Sequence, residues 1–222
     1  MQDLILQEKF ELEVLDKLKS GRFLNYLIFT GGTMLRLCYE LNRFSVDLDF
    51  WFFKKIEVED FFYKLKNFLQ HQYEIKDAEN KYYTILFEIK AETYPRNLKI
   101  EIRKEIKNIQ TEFAIAYSKY SNIQVLVRTP TLKEVMKNKI EAFLSRGEIR
   151  DVFDIEFLVK KGIEIDAEKE KLEKMVKMIK GLSRKDYSVK LGSIVEPEFR
   201  KYYVNENFKI LLNKIYERLT KN

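Results

Sequence analysis

The 222-residue chain reads as an α+β protein: a mixed β-sheet with helices packed on it, followed by a mainly α-helical C-terminal part. Three observations predict this. Short strand-length segments recur between Tyr26 and Thr129, interleaved with amphipathic helical stretches. After Pro130 only helical periodicity remains. A composition of 45% hydrophobic and 34% charged residues supplies ample material for a core and excludes a disordered tail.

The elements follow in order. Leu4, Ile5, Phe10, Leu12, Leu15 and Leu18 recur at helical spacing, so residues 4–19 form a helix that "SGR" closes. "YLIFTGG" is a buried strand stopped by glycines, and "TMLRLCYEL" restarts as a helix. "SVDLDFWFF" is the second strand, and "VEDFFYKLKNFLQHQ" an amphipathic helix with Phe61, Phe62, Leu65 and Leu69 inward. "YYTILFEIKA" and "RNLKIEIRKE" alternate as strands across the turn "ETYPRN". "IQVLVRT" is a further strand, ending at Pro130. Helices are then expected over 131–146, 150–161, about 166–180 and about 205–219. The organisation is a sheet-bearing core over 1–129 and a helical domain over 130–222.

Composition narrows the chemistry. One cysteine (Cys38) and one histidine (His71) leave no intramolecular disulfide and no zinc site of the usual kind. Any metal must sit on carboxylates, which suits Mg2+ or Mn2+. Cys38 reads as a small buried thiol. No apolar run approaches the ~20 residues of a membrane helix, and the acidic, amphipathic start is unlike a targeting peptide, so a cytoplasmic protein without membrane contact is expected. Residues 1–127 carry 19 basic and 19 acidic side chains, so the whole net charge of +6 lies beyond them. That surplus fits either a nucleic-acid surface or a solvated Lys/Glu-rich helical surface.

The motif-bearing stretch is "FTGGTMLRLCYELNRFSVDLDFWF". A strand, two glycines, a threonine and a helix make a plausible phosphate cradle, because glycine admits an anion to the backbone and helix-start amides attract it. The same pattern is also an ordinary capped turn, and it lacks the P-loop lysine. In "VDLDF" alternation puts Asp47 and Asp49 on one face and Val46, Leu48 and Phe50 on the other. Paired carboxylates beside a phosphate cradle are what metal-assisted phosphoryl transfer requires. Glu101 in "NLKIEIRKE" is the candidate third carboxylate, with Glu88 as its competitor.

In the helix after Pro130, Leu132, Val135, Met136, Ile140 and Phe143 form an apolar stripe, and Lys139 and Arg146 fall inside it. In "IRDVFDIEFLV" Asp151 sits in the inward sector, with Asp154 at its margin. Inward charges of both signs mean either a structural ion-pair network or an active-site wall.

Together these segments resemble the AbiEii/AbiGii-type nucleotidyltransferases, toxins of two-gene toxin–antitoxin and phage-exclusion systems with the polymerase-beta-like nucleotidyltransferase fold. "GGTMLRLCYELNRFSVDLDF" carries the first block of the resemblance and "TLKEVMKNKIEAFLSRGEIRDVFDIEFLV" the second. The resemblance implies Gly31, Gly32 and Thr33 as the phosphate loop, with Arg43 and Ser45 of "RFS" joining the nucleotide contacts. It implies Asp47 and Asp49 as metal ligands, Glu101 as the fold's third carboxylate, Lys139 on the nucleotide phosphates, and Asp151 or Asp154 as the acidic partner. It further implies transfer of a nucleoside monophosphate from an NTP to a hydroxyl, with a tRNA 3′ end as acceptor and an antitoxin as protein partner. Two other readings stay open: the same chemistry on a small molecule or protein hydroxyl, and a non-catalytic nucleotide- or partner-binding module.

Overall fold

The computed structural model describes residues 2–220 and divides into two compact units. The first comprises the described residues up to Glu40 together with Phe44–Pro130; the second comprises Leu41–Arg43 and the described residues from Thr131 onward.

The first unit opens with helix α1 (Gln2–Ser20), followed by β1 (Leu27–Thr30), α2 (Gly31–Tyr39), β2 (Asp47–Phe52) and α3 (Val58–Gln70). Strands β3 (Glu74–Asn80), β4 (Thr84–Lys90), β5 (Leu98–Ile106), β6 (Thr111–Ala116) and β7 (Val125–Pro130) complete it. Five strands form a mixed sheet in the order β1-β2-β5-β4-β3, in which β2 and β5 run parallel and the other neighbours antiparallel. The register explains the core. Leu48 lies beside Ile100, which lies beside Phe87, and Phe50, Ile102 and Ile85 repeat the row. All six are buried on one face, each worth roughly 1.5–3 kcal/mol of transfer free energy. Pleating sends Asp47, Asp49, Lys99, Glu101 and Glu88 to the other face.

Two strands depart from expectation. β3, "EIKDAEN", is the edge of the sheet and mostly exposed, so backbone pairing with β4 defines it and no apolar alternation announces it. β6 pairs with β7 in a separate two-stranded sheet, so "IQVLVRT" does not extend the main sheet.

The second unit is helical: α4 (Leu132–Arg146), α5 (Ile149–Lys160), α6 (Lys169–Lys180), α7 (Pro197–Glu206) and α8 (Lys209–Thr220). Gly147 ends α4 at φ 68°, a left-handed cap that suits glycine, and α5 follows at once to form a helical hairpin. The helix expected over about 205–219 is α8, and α7 ahead of it was not expected. Asn207 separates them at φ 53°, and Pro197 at the first turn of α7 makes a preorganised start. A π-helical segment, Asp186–Leu191, was also not foreseen. Glu156, fully buried on α5, accepts from Lys160 Nζ at 2.8 Å and from the Leu211 amide at 3.2 Å, tying α5 to the start of α8.

Candidate active site

β1 ends at Thr30, the register partner of Asp49, and α2 starts at the next residue. That crowding dictates the residue. Gly31 adopts φ +80°, and a Cβ there would lie 2.3 Å from Asp49 Oδ2 and 3.0 Å from Asp49 Cβ. Only glycine fits, for conformation and for space. Thr30 stands at the N-cap without a side-chain cap hydrogen bond, so the first-turn amides of α2 have neither an intrahelical acceptor nor that one. Thr33 is fully buried, and its hydroxyl donates to the Asp47 carbonyl at 2.6 Å. Its side chain therefore ties the start of α2 to the aspartate strand. Gly32 is buried beside it, and Ser45 is half-buried in the extended run before β2.

Asp47 and Asp49 are half-buried on one face of β2. Glu101 is the register partner of Asp49 on the adjacent strand, and its carboxylate lies 3.7 Å from Arg103 Nε. Glu88 is one strand further out, opposite Lys99, and accepts from Asn97 Nδ2 at 2.7 Å. Register thus favours Glu101 over Glu88 as neighbour of the pair. Among the described residues no three His, Cys, Asp or Glu side chains gather as a metal site. Two hard carboxylates fit magnesium nonetheless, because it commonly takes one or two carboxylates and completes its shell with substrate phosphates and water.

In the second unit the inward charges meet each other. Asp154 accepts from Arg43 Nε at 2.6 Å and Nη2 at 2.7 Å, and from Lys139 Nζ at 2.6 Å. Asp151 accepts from Arg146 Nε at 2.6 Å and Nη2 at 2.7 Å, with Lys139 Nζ at 3.5 Å. Both aspartates are fully buried, so Asp154 is not marginal as helical phase suggested. Burial alone would push Asp154 up, but facing Arg43 and Lys139 outweigh it and hold its pKa below the usual range. Arg43, expected on the nucleotide, is 3% exposed and bidentate on Asp154. Burial lifts the Cys38 thiol to about 12, which leaves it unreactive at neutral pH.

Residues 13–217 match the family described as nucleotidyl transferase AbiEii toxin of type IV toxin–antitoxin systems. The chain belongs to the AbiEii family. It is therefore a nucleotidyltransferase toxin, with an NTP as substrate and an antitoxin as its partner. Among curated proteins none matches. Two solved Helicobacter pylori structures share the fold. One, described as a candidate nucleotidyltransferase, is 19% identical with a TM-score of 0.57, covering 94% of this chain and 96% of that one. The other, JHP933, is 21% identical with a TM-score of 0.50, covering 95% and 96%. No helix among the described residues of this AbiEii protein is long and apolar enough to cross a membrane.

The AbiEii match begins after a buried polar group on α1 that sequence reasoning missed. Gln7, Glu8 and Glu11 are nearly or fully buried. Glu8 bonds Arg36 Nε at 2.8 Å and the Ser118 hydroxyl. Desolvation, then the charges of Glu8 and Asp47, raise the Glu11 pKa well above the ordinary value, with Arg36 opposing. Glu11 Oε1 and Gln7 Oε1 are buried with no hydrogen-bond partner, each costing about 1–3 kcal/mol. The signal was available: at 100° per residue all three fall within the apolar stripe, the test that singled out Lys139.

Proposed function

We propose that this AbiEii protein is a magnesium- or manganese-dependent enzyme that moves a nucleoside monophosphate from an NTP to the 3′-end hydroxyl of RNA, a tRNA above all, and blocks translation in the cytoplasm. The observation that carries the reading is the contact between Gly31 and Asp49, which puts a bare helix start against a carboxylate pair. Asp47 and Asp49 would hold the cation, with Glu101 beside them on β5. A bound Mg2+ would neutralise and orient the phosphate oxygens. The first-turn amides of α2 donate to the same phosphates, and the absence of a Cβ at Gly31 leaves them room. Thr33 keeps Asp47 in place through its carbonyl. The acceptor oxygen attacks the α phosphorus in line as the bond to the bridging oxygen breaks; pyrophosphate departs and the hydroxyl proton is released. The RNA acceptor is supported by the family resemblance and by the basic surplus beyond residue 127.

The test is incubation with α-labelled ATP, GTP, CTP and UTP and total RNA. Label in the small-RNA band, lost when magnesium is chelated, is the expected outcome. Label in protein or in a small molecule would replace the acceptor assignment.

A further inference from the structure

Gln7 is fully buried on α1, on a face it shares with Phe10, Val14 and Leu18 and with the buried carboxyl side chains of Glu8 and Glu11. Its Nε2 donates to the Val46 carbonyl at 3.2 Å and the Asn97 carbonyl at 3.4 Å. Val46 immediately precedes β2, and Asn97 immediately precedes β5. One side-chain amide therefore spans the starts of the two adjacent parallel strands that carry Asp47, Asp49 and Glu101. Thr33, from α2, holds the next carbonyl along, that of Asp47. Consecutive carbonyls at the head of β2 are thus gripped from two helices.

The need for such a grip follows from topology. In a hairpin the turn fixes the register, but parallel strands have no shared turn. Between β2 and β5 the chain runs through α3, β3 and β4, so nothing local aligns Asp47 with Lys99. The unpartnered Oε1 argues that packing is not what Gln7 serves, since a methionine or leucine would fill the same space without it.

We infer that Gln7 is a positioning residue that sets the register and aim of the carboxylate strands. It touches neither substrate nor cation. The inference rests on the reading that Asp47 and Asp49 hold the divalent ion.

The test is Gln7→Met, similar in length but without a donor, compared with wild type and Asp47→Asn. Mn2+ binding is followed by electron paramagnetic resonance with α,β-methylene-ATP present, alongside melting temperature and a Mg2+ titration of transfer. Losing neutral hydrogen bonds at the strand heads should weaken Mn2+ binding about three- to tenfold. The Mg2+ half-saturation point should rise equally, the rate should recover at high Mg2+, and the melting temperature should hold or rise. Unchanged Mn2+ affinity in a folded Gln7→Met overturns the proposal. So does a lower melting temperature with normal affinity, or failure of both Gln7→Met and Gln7→Leu to fold, since each makes Gln7 structural. Wild-type Mn2+ affinity in Asp47→Asn would sink the metal reading itself, and this proposal with it; that failure shows in a different protein and is distinguishable.

Discussion

Gly31 stands directly against Asp49, so close that a Cβ on the glycine would fall 2.3 Å from Asp49 Oδ2. Sequence places these residues eighteen apart; register makes them neighbours through Thr30. Gly31→Ala should lower stability by about 1–3 kcal/mol from the positive φ alone, and displace Asp49 as well. Adding Asp49→Ala should return part of that loss without returning activity. A double-mutant cycle by urea unfolding measures the coupling. Additive losses would mean the contact is not felt.

Lys139 is shared between two aspartates, each of which has an arginine of its own. Lys139→Ala therefore leaves neither buried carboxylate bare, and the expected stability loss is about 1–3 kcal/mol. If Lys139 also serves the nucleotide phosphates, transfer should fall about thirty- to a thousandfold. Melting temperature and transfer rate on one preparation separate the roles. Normal turnover per folded molecule would confine Lys139 to the ion-pair network.

The depressed pKa of Asp154 has a pH signature. Its folded value lies below its unfolded value, so its pairing stabilises fully above the unfolded pKa and is lost as pH falls through the folded one. Asp154→Asn, which removes the carboxylate that Arg43 and Lys139 share, should cost about 3–5 kcal/mol at pH 7. Urea titrations from pH 7 to pH 2 should show that gap closing below about pH 4. A gap that stays constant would contradict the pairing.

Glu11 has the opposite sign. Its raised pKa means the folded state holds a proton that the unfolded state releases, so the penalty grows as pH rises from the unfolded pKa toward the folded one. Glu11→Gln should melt higher than wild type at pH 8, with the gain shrinking toward pH 4. A variant less stable at pH 8 would show that Glu11 is needed as an anion.

What could be read from the sequence was local. Asp47 and Asp49 were visible because strand alternation needs only adjacent residues, and Lys139 and Asp151 because helical phase needs only one turn. The pairing of Arg43 was not legible because its partner, Asp154, is 111 residues away and no local period relates them. β3 was missed because an exposed edge strand is defined by its neighbour's backbone, and "EIKDAEN" buries almost nothing. β6 was missed because Phe113 and Ile115, its large apolar residues, face outward at 61% and 51% exposure, and only Ala116 is buried. Gln7 sits inside the helical stripe of α1, but the carbonyls it bonds, those of Val46 and Asn97, are 39 and 90 residues away.

The most direct measurement of the central claim is transfer from α-labelled NTP by Asp47→Asn and Asp49→Asn, with melting temperatures recorded alongside. Both side chains lie on the face away from the apolar core, so both variants should fold. The account predicts that each abolishes transfer and that excess chelator does the same to wild type. Full transfer by either folded variant, or by wild type in excess chelator, would contradict it.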